Sequence, residues 1–564
     1  MSVPILSISN LSVEFRGDAG WKPVTASVNL DIQRGETVAL VGESGSGKSV
    51  TAMSVLNLLP PNARRTGSIK FQGDELIALS EPQLRKLRGA GIAMIFQEPM
   101  TALNPVYTIE TQVCEAILSH SKLSKRDAQR RALQLLNQVK MPTPETKLQH
   151  YPHQLSGGQR QRVMIAMAIS SQPKLLIADE PTTALDVTVQ AEILDLLLEL
   201  QKDSGMAILL ITHDMGVVAD VADRVYVMRD GEVVETAATA DLFGNPQAPY
   251  TRQLLDAVPY LGRDFAEPRS ERTGAAGNAG IPAAEHGVLE FRNTIIEYPG
   301  RFRKPGFRAV NDVSFRLEPG EILGLVGESG SGKSTIGRAA IGLIPSAGGS
   351  ILLNGSELGS ANERTLRRLR KNVSIVFQDP ASSLNPRVTI GRSVIDPLRW
   401  SGTSLSNKQL ATKAGDLLEM VRIPGSWAGR FPHELSGGQR QRIGIARAIA
   451  IDPLLMVADE PTSALDVSVQ AAVLDLLKEL QKTMGFSCLF ISHDLSVVES
   501  LADRVAVLNK GQIVEIGSSQ EVLRNPTHPY TRRLLAAAPV PDPVIQRARR
   551  TERMAQQLVA APGA

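Results

Sequence analysis

The sequence predicts a tandem pair of α/β domains, each with a largely parallel sheet, a smaller antiparallel layer and an inserted helical region. Three observations carry that prediction. A phosphate-loop string occurs twice, as Gly42-Glu43-Ser44-Gly45-Ser46-Gly47-Lys48-Ser49 and as Gly327-Glu328-Ser329-Gly330-Ser331-Gly332-Lys333-Ser334. Later landmarks recur at a near-constant offset: 285 residues from Lys48 to Lys333, 281 from Gln97 to Gln378, and 280 for Ser156 to Ser436, Asp179 to Asp459 and His213 to His493. Within each half, short β-branched runs alternate with helical patterns. So regular an offset means one domain duplicated, and 564 residues exceed what a single core serves.

Taken in order, the opening runs Leu6–Phe15 and Val288–Phe291 read as strands of the antiparallel layer. The apolar runs Thr37–Val41 and Ile322–Val326 lead into the phosphate loops, and helix-compatible segments follow them. Residues near 105 to 140 and 390 to 422 read as helical, with Gln112, Glu115, Gln129 and Arg130 alternating with apolar positions. These inserted regions are candidate partner-facing surfaces. Residues 262–287, rich in Gly, Ala, Pro and charge, read as a flexible linker between a first domain at 1–261 and a second at 288–543. The tail 544–564 carries Arg547, Arg549, Arg550 and Arg553 and reads as a short amphipathic helix with a solvated basic face.

Composition narrows the class. With 61 Lys+Arg against 58 Asp+Glu, no global basic field argues for a nucleic-acid partner. Cys114 and Cys488 lie in unrelated surroundings without a CxxC or a Cys/His cluster, which excludes a recognisable zinc or iron–sulfur site and fits a reducing compartment. The N-terminus lacks signal-peptide character, and no run approaches the ~18 apolar residues of a spanning helix. The expectation is a soluble, cytoplasmic protein that reaches a membrane only through a partner.

The chemistry follows from the loops. Glycines at the spacing of Gly42, Gly45 and Gly47, and of Gly327, Gly330 and Gly332, let backbone N–H groups, with those of Ser44 and Ser329, turn toward phosphate oxygens at a helix N-terminus. Lys48 and Lys333 neutralise β- and γ-phosphate charge, and Ser49 and Ser334 offer a hydroxyl to Mg²⁺. Downstream, Leu175–Glu180 and Leu455–Glu460 are apolar strands ending in two adjacent carboxylates. Strand neighbours point to opposite faces, so the two cannot share one task. Asp179 and Asp459 suit the Mg²⁺ shell, while Glu180 and Glu460 suit orienting or deprotonating the attacking water. One Asp-Glu pair at a strand end is usually a solvated turn; beside a phosphate loop in both halves it is a site.

Leu155-Ser156-Gly157-Gly158-Gln159 and Leu435-Ser436-Gly437-Gly438-Gln439, between loop and carboxylate strand in each half, resemble the signature motif of ABC-type ATPases. The physics agrees, because Ser and Gly opening a helix present a hydroxyl, bare N–H groups and a positive dipole to an anion. The resemblance covers both halves nearly end to end. It implies P-loop ABC ATPase domains with a RecA-like parallel core, an antiparallel β subdomain and an inserted helical subdomain, with ATP and Mg²⁺ as cofactors. It also implies composite sites, each phosphate loop being completed by the signature of the other half. Gln97 and Gln378 resemble the Q-loop glutamine that senses Mg²⁺ and water, Asp186 and Asp466 the D-loop, and His213 and His493 the switch histidine that contacts γ-phosphate. Phe15 and Tyr298 are the aromatics placed to stack on adenine. All these residues are present twice, so two hydrolytic sites are expected: Lys48, Glu180 and His213 with Ser436 and Gly438, and Lys333, Glu460 and His493 with Ser156 and Gly158.

Three strings resemble one branch of the family, the dipeptide and oligopeptide importers. They are the extended Q-loops Gln97–Pro105 and Gln378–Pro386, the segments Tyr151–Gln154 and Phe431–Glu434 before the signatures, and the tails Asn245–Arg252 and Asn525–Arg532. The first tail has Ala248 where the second has His528, so no function attaches to that histidine. Many members carry a cysteine cluster for an iron–sulfur centre; this chain has none. The resemblance implies the energising subunit of a bacterial importer for peptides or peptide-like compounds. It would be peripheral on the cytoplasmic face of the inner membrane, with two permease subunits and an extracytoplasmic binding protein as partners. The competing class is a soluble tandem ABC ATPase acting on ribosomes, which is expected to carry a long, charged helical connector where residues 262–287 are short and rich in Gly and Ala.

Overall fold

A computed structural model describes residues 3–17, 20–97, 102–183, 185–262, 287–300, 306–359, 361–378, 383–402, 404–463 and 465–560. The linker stretch 263–286 and the Q-loop stretches 98–101 and 379–382 lie outside the described residues. The chain divides into two compact units, one made of Met1–Val258 with Pro539–Ala564, the other of Pro259–Ala538.

In the first unit, Thr37–Val41, Ala207–Ile211 and Leu175–Asp179 are buried at every position, as strands covered on both faces must be. They sit in a six-stranded sheet ordered Glu232–Ala238, Arg224–Arg229, Thr37–Val41, Ala207–Ile211, Leu175–Asp179, Ile92–Ile95, parallel except for the first strand. A separate antiparallel sheet pairs Gly20–Ile32 with Leu6–Gly17 and then Ala63–Phe71. Its alternating face (Leu6, Ile8, Val28, Leu30, Ile69) packs with Val38, Leu40 and Leu209 of the parallel sheet in one core. The second unit repeats both sheets, and the strand read at 288–291 runs as Leu289–Tyr298, seven residues further.

The helical region read near 105–140 is made of two helices in the first unit, Ile109–Leu118 and Lys125–Gln138; Ser124 caps the second by accepting from Asp127 N–H at 3.2 Å. The second unit repeats the break with Ile390–Trp400 and Asn407–Met420. Ile109, Val113, Leu135 and Leu136 share a core with Val163 and Ile165 of the signature helix and with Leu176 and Leu210 of the sheet. The inserted helices thus share one core with the strand that carries the carboxylates. Truncating a fully buried leucine such as Leu135 to alanine costs about 2–5 kcal/mol.

The tail differs from its sequence reading. It is an 18-residue helix, Pro543–Ala560, and its basic face is not simply solvated. Arg553 forms a bidentate ion pair with the buried Asp195 (Nη2 to Oδ1 3.1 Å, to Oδ2 3.2 Å), and Gln546 Nε2 donates to Asp220 Oδ2 at 3.3 Å. Both carboxylates belong to the first unit, which is why the end of the chain groups there and not with residues 288–538. Among the described residues no helix is long and apolar enough to cross a membrane.

Candidate nucleotide sites

Each phosphate loop takes its shape from glycines that no other residue replaces. Gly42 (φ 148°) and Gly47 (φ 99°) adopt left-handed backbone, and a Cβ at Gly42 would fall 2.2 Å from Met228 O. Gly327 repeats this with φ 149° and 2.1 Å to Leu508 O. The loops deliver Lys48 and Lys333 at the first turn of their helices, where both are buried. Lys48 Nζ donates to Gly42 O at 2.8 Å and to Glu43 O at 2.7 Å, and Lys333 Nζ to Gly327 O at 2.7 Å and to Glu328 O at 2.8 Å. The ammonium thus lies over its own loop.

Beside the lysine, Ser49 Oγ donates to Asp179 Oδ1 at 3.1 Å and Ser334 Oγ to Asp459 Oδ1 at 3.0 Å. Hydroxyl and carboxylate are hard oxygens of the kind Mg²⁺ takes alongside water and phosphate. No group of three His, Cys, Asp or Glu side chains suited to a metal occurs among the described residues.

The neighbouring glutamates turn the other way. Glu180 and Glu460 each sit at φ 47°, left-handed backbone that is uncommon for a residue with a side chain and that directs it away from its aspartate neighbour. Glu180 Oε2 accepts from Gln97 Nε2 at 2.8 Å and from Thr183 Oγ1 at 2.9 Å, and its Oε1 lies 3.1 Å from His213 Nδ1. Gln378 Nε2 donates to Glu460 Oε2 at 2.8 Å, and His493 Nδ1 lies 3.3 Å from that oxygen. The two sites are not identical, since Ser463 Oγ donates to the backbone carbonyl of Glu460 where Thr183 reaches the carboxylate.

These contacts split the adjacent carboxylates electrostatically. Burial, reinforced by the nearby Glu180 charge and opposed by Ser49, pushes Asp179 up to about 6. Burial also acts to raise Glu180, but the hydrogen bond and charge of His213, with Thr183 and Gln97, outweigh it and hold that carboxyl at about 2. Burial would lower His213, yet its contact with Glu180 raises it. The second unit repeats all three directions at Asp459, Glu460 and His493.

The signature stretches are built on another element. Ser156 caps the helix Gly157–Ala168, accepting from Gln159 N–H at 3.3 Å, while Gln159 Oε1 accepts from Ser156 N–H. Ser436 and Gln439 form the same box on Gly437–Ile449. A Cβ at Gly158 would lie 2.4 Å from Val189 Cγ1, and one at Gly438 2.2 Å from Val469 Cγ1, so these glycines also permit helix approach; Gly157 and Gly437 are less crowded. Asp186 and Asp466 cap the facing helices, accepting from Val189 N–H at 3.0 Å and Val469 N–H at 3.1 Å. Tyr298 is 37% exposed with its hydroxyl 3.2 Å from Thr335 Oγ1, one residue past Ser334, whereas Phe15 packs more deeply against the sheet core.

Sequence reasoning missed Thr183 and the two tail tyrosines that reach the phosphate loops, Tyr250 and Tyr530. The signal for the tyrosines was the repeated string Asn-Pro-x-x-Pro-Tyr-Thr-Arg, read as a branch marker without a contact.

The model of the ABC transporter family matches residues 25–183 and 310–463, and that of the oligopeptide/dipeptide transporter C-terminal region matches 234–280 and 514–563. The chain is 48% identical to the glutathione import ATP-binding protein GsiA of Escherichia coli K12 over 97% of this chain and 91% of that one, with the same figures for the Shigella sonnei protein. A solved dimeric ATP-binding cassette bound to ADP and Pi is 27% identical, covering 41% of this chain and 98% of that one, at a TM-score of 0.38.

Proposed function

From the premise that this chain belongs to the ABC transporter family as an ATP-binding subunit with two fused ATPase halves, we propose that it energises import of peptides or peptide-like compounds through two composite ATP sites. One observation carries the proposal: in both units the same lysine-bearing loop, Ser–Asp pair and Gln–Glu–His cluster converge. Each loop is completed by the other half's signature, Lys48 with Ser436, Gly437, Gly438 and Gln439, and Lys333 with Ser156, Gly157, Gly158 and Gln159.

Within a site, Lys48 and Lys333 turn their ammonium groups from loop carbonyls to phosphate oxygens. Ser49, Asp179 and Gln97, and Ser334, Asp459 and Gln378, would hold Mg²⁺, which would supply charge neutralisation for the phosphates. Glu180 and Glu460 position the attacking water. A carboxyl held at about 2 is a weak proton acceptor at neutral pH, so Glu180 orients the water more than it deprotonates it. His213 and His493 keep these carboxylates ionised and aimed. Phe15 and Tyr298 stack on adenine.

Peptide-like substrates are supported by the two C-terminal-region matches and by the relatives named for glutathione import. Two permease subunits and an extracytoplasmic binding protein complete the importer, with this chain peripheral on the cytoplasmic face of the inner membrane. The same matches give no support to a ribosomal role. Affinity capture of the full chain from detergent-solubilised membranes tests the assignment. Two permeases should co-purify, and deletion of the gene should abolish uptake of labelled glutathione or a labelled dipeptide; recovery with ribosomes and unchanged uptake of both would contradict it.

A further inference from the structure

The repeated tail string touches the phosphate loop of its own unit. Glu43 N–H donates to Tyr250 Oη at 3.2 Å, and Glu328 N–H donates to Tyr530 Oη at 3.1 Å. Both tyrosines are buried. The donors directly follow Gly42 and Gly327, the glycines whose left-handed backbone starts each loop. The carbonyls of Gly42 and Glu43 are the ones that accept from Lys48 Nζ, and those of Gly327 and Glu328 accept from Lys333 Nζ. The opening of each loop is therefore held from two sides, its N–H by the tail and its carbonyls by the loop lysine.

The rest of the string holds the tyrosine in place. Glu235 Oε1 accepts from Gln247 N–H at 2.8 Å and Oε2 from Ala248 N–H at 2.9 Å; Glu515 accepts from Thr527 N–H at 2.7 Å and His528 N–H at 3.3 Å. Arg252 Nε closes the turn on Pro246 O at 2.9 Å, and Arg532 Nε on Pro526 O at 3.0 Å. Proline then opens each tyrosine-bearing helix, Pro249–Ala257 and Pro529–Ala537, where its fixed φ suits the first turn. Arg229 lies 4.9 Å over the Tyr250 ring, but Asn509 stands at the matching place in the second unit. What the two units share is the hydroxyl contact.

We infer that Tyr250 and Tyr530 are positioning residues for nucleotide binding: each hydroxyl fixes the first peptide of the phosphate loop so that the lysine and the remaining loop amides are arranged before the phosphate arrives. The inference rests on the reading that these loops bind ATP. Such preorganisation raises affinity by lowering the ordering that binding must supply.

The test compares the full chain with Tyr250→Phe/Tyr530→Phe, which keeps both rings, and with Glu235→Gln/Glu515→Gln, which loosens the tail without touching them. MgATP affinity should fall about five-fold in the phenylalanine variant, equivalent to about 1 kcal/mol. KM for ATP should rise in parallel while kcat at saturating ATP stays within about two-fold. Without nucleotide, amide hydrogen exchange at 42–47 and 327–332 should quicken in both variants. ATP affinity and loop exchange equal to the parent's, even with a lower melting temperature, would reduce the tyrosines to structural anchors and overturn the inference. Lys48→Ala/Lys333→Ala separates the two readings. Lost binding there with unchanged binding in the tyrosine variant contradicts only the tyrosine role, whereas retained binding in the lysine variant contradicts the ATP-loop reading itself.

Discussion

Arg550 Nη1 lies 3.2 Å from Oδ1 of Asp220 and donates to the Asp220 carbonyl at 2.8 Å, joining the last helix of the chain to the helix Met215–Val221 that follows His213. Asp220 is 3% exposed, so its charge has little water to turn to. Removing the guanidinium should therefore destabilise the first unit. Arg550→Ala is expected to cost about 1–3 kcal/mol, the range for a buried polar group that loses its partner. Thermal melts of the variant and the parent measure it.

The same pair sets a pH dependence. Burial raises the Asp220 carboxyl above its ordinary range, and Arg550 and Arg553 oppose that rise. A carboxyl raised in the folded state favours folding below its unfolded value and loses that contribution as pH climbs through the folded one. In Arg550→Ala the opposition is weaker and the folded value climbs further. The deficit of this variant should be small in acid and grow as pH rises above the ordinary carboxylate range. Melts at about pH 4 and pH 8 that show equal deficits would mean Asp220 does not carry the effect.

His213 is the main counterweight to burial at Glu180. Replacing it with glutamine should let that carboxyl rise from about 2, so the acid limb of the pH–rate profile should move to higher pH, with turnover reduced by about two to four orders of magnitude, the range for a positioned acid–base partner. The profile of His493→Gln should shift the same way, because Glu460 is lowered by the same contact.

Gly158 and Gly438 carry a packing role separable from any ligand. Gly158→Ala should lower stability by about 1–3 kcal/mol through overpacking against Val189, and Val189→Ala should restore much of it. Chemical denaturation of the single and double variants measures both. If ATP turnover stays low in the stable double variant, the glycine also serves the nucleotide.

What could be read from the sequence divides by range. Ser49 with Asp179, and Glu180 with Gln97 and His213, could be named because each lies in a contiguous string with its own chemistry, and the sheet order brings the strings to one edge. The φ of 47° that turns Glu180 from Asp179 leaves no trace in composition or periodicity; strand alternation alone suggested the separation. The break between Ile109–Leu118 and Lys125–Gln138 is marked only by the cap Ser124. Tyr250 with Glu43, and Arg550 with Asp220, are 207 and 330 residues apart. No local pattern signals such pairs, so the basic tail read as solvated when its arginines find buried carboxylates.

Both halves should hydrolyse ATP, with Glu180 positioning water in one site and Glu460 in the other. ATP turnover of Glu180→Gln, Glu460→Gln and the double variant, measured on protein shown to bind MgATP as the parent does, tests it most directly. Each single change should cut turnover strongly and the double change should abolish it. Parent-level turnover in the double variant would contradict the role of both carboxylates, and parent-level turnover in either single variant would contradict the claim of two working sites.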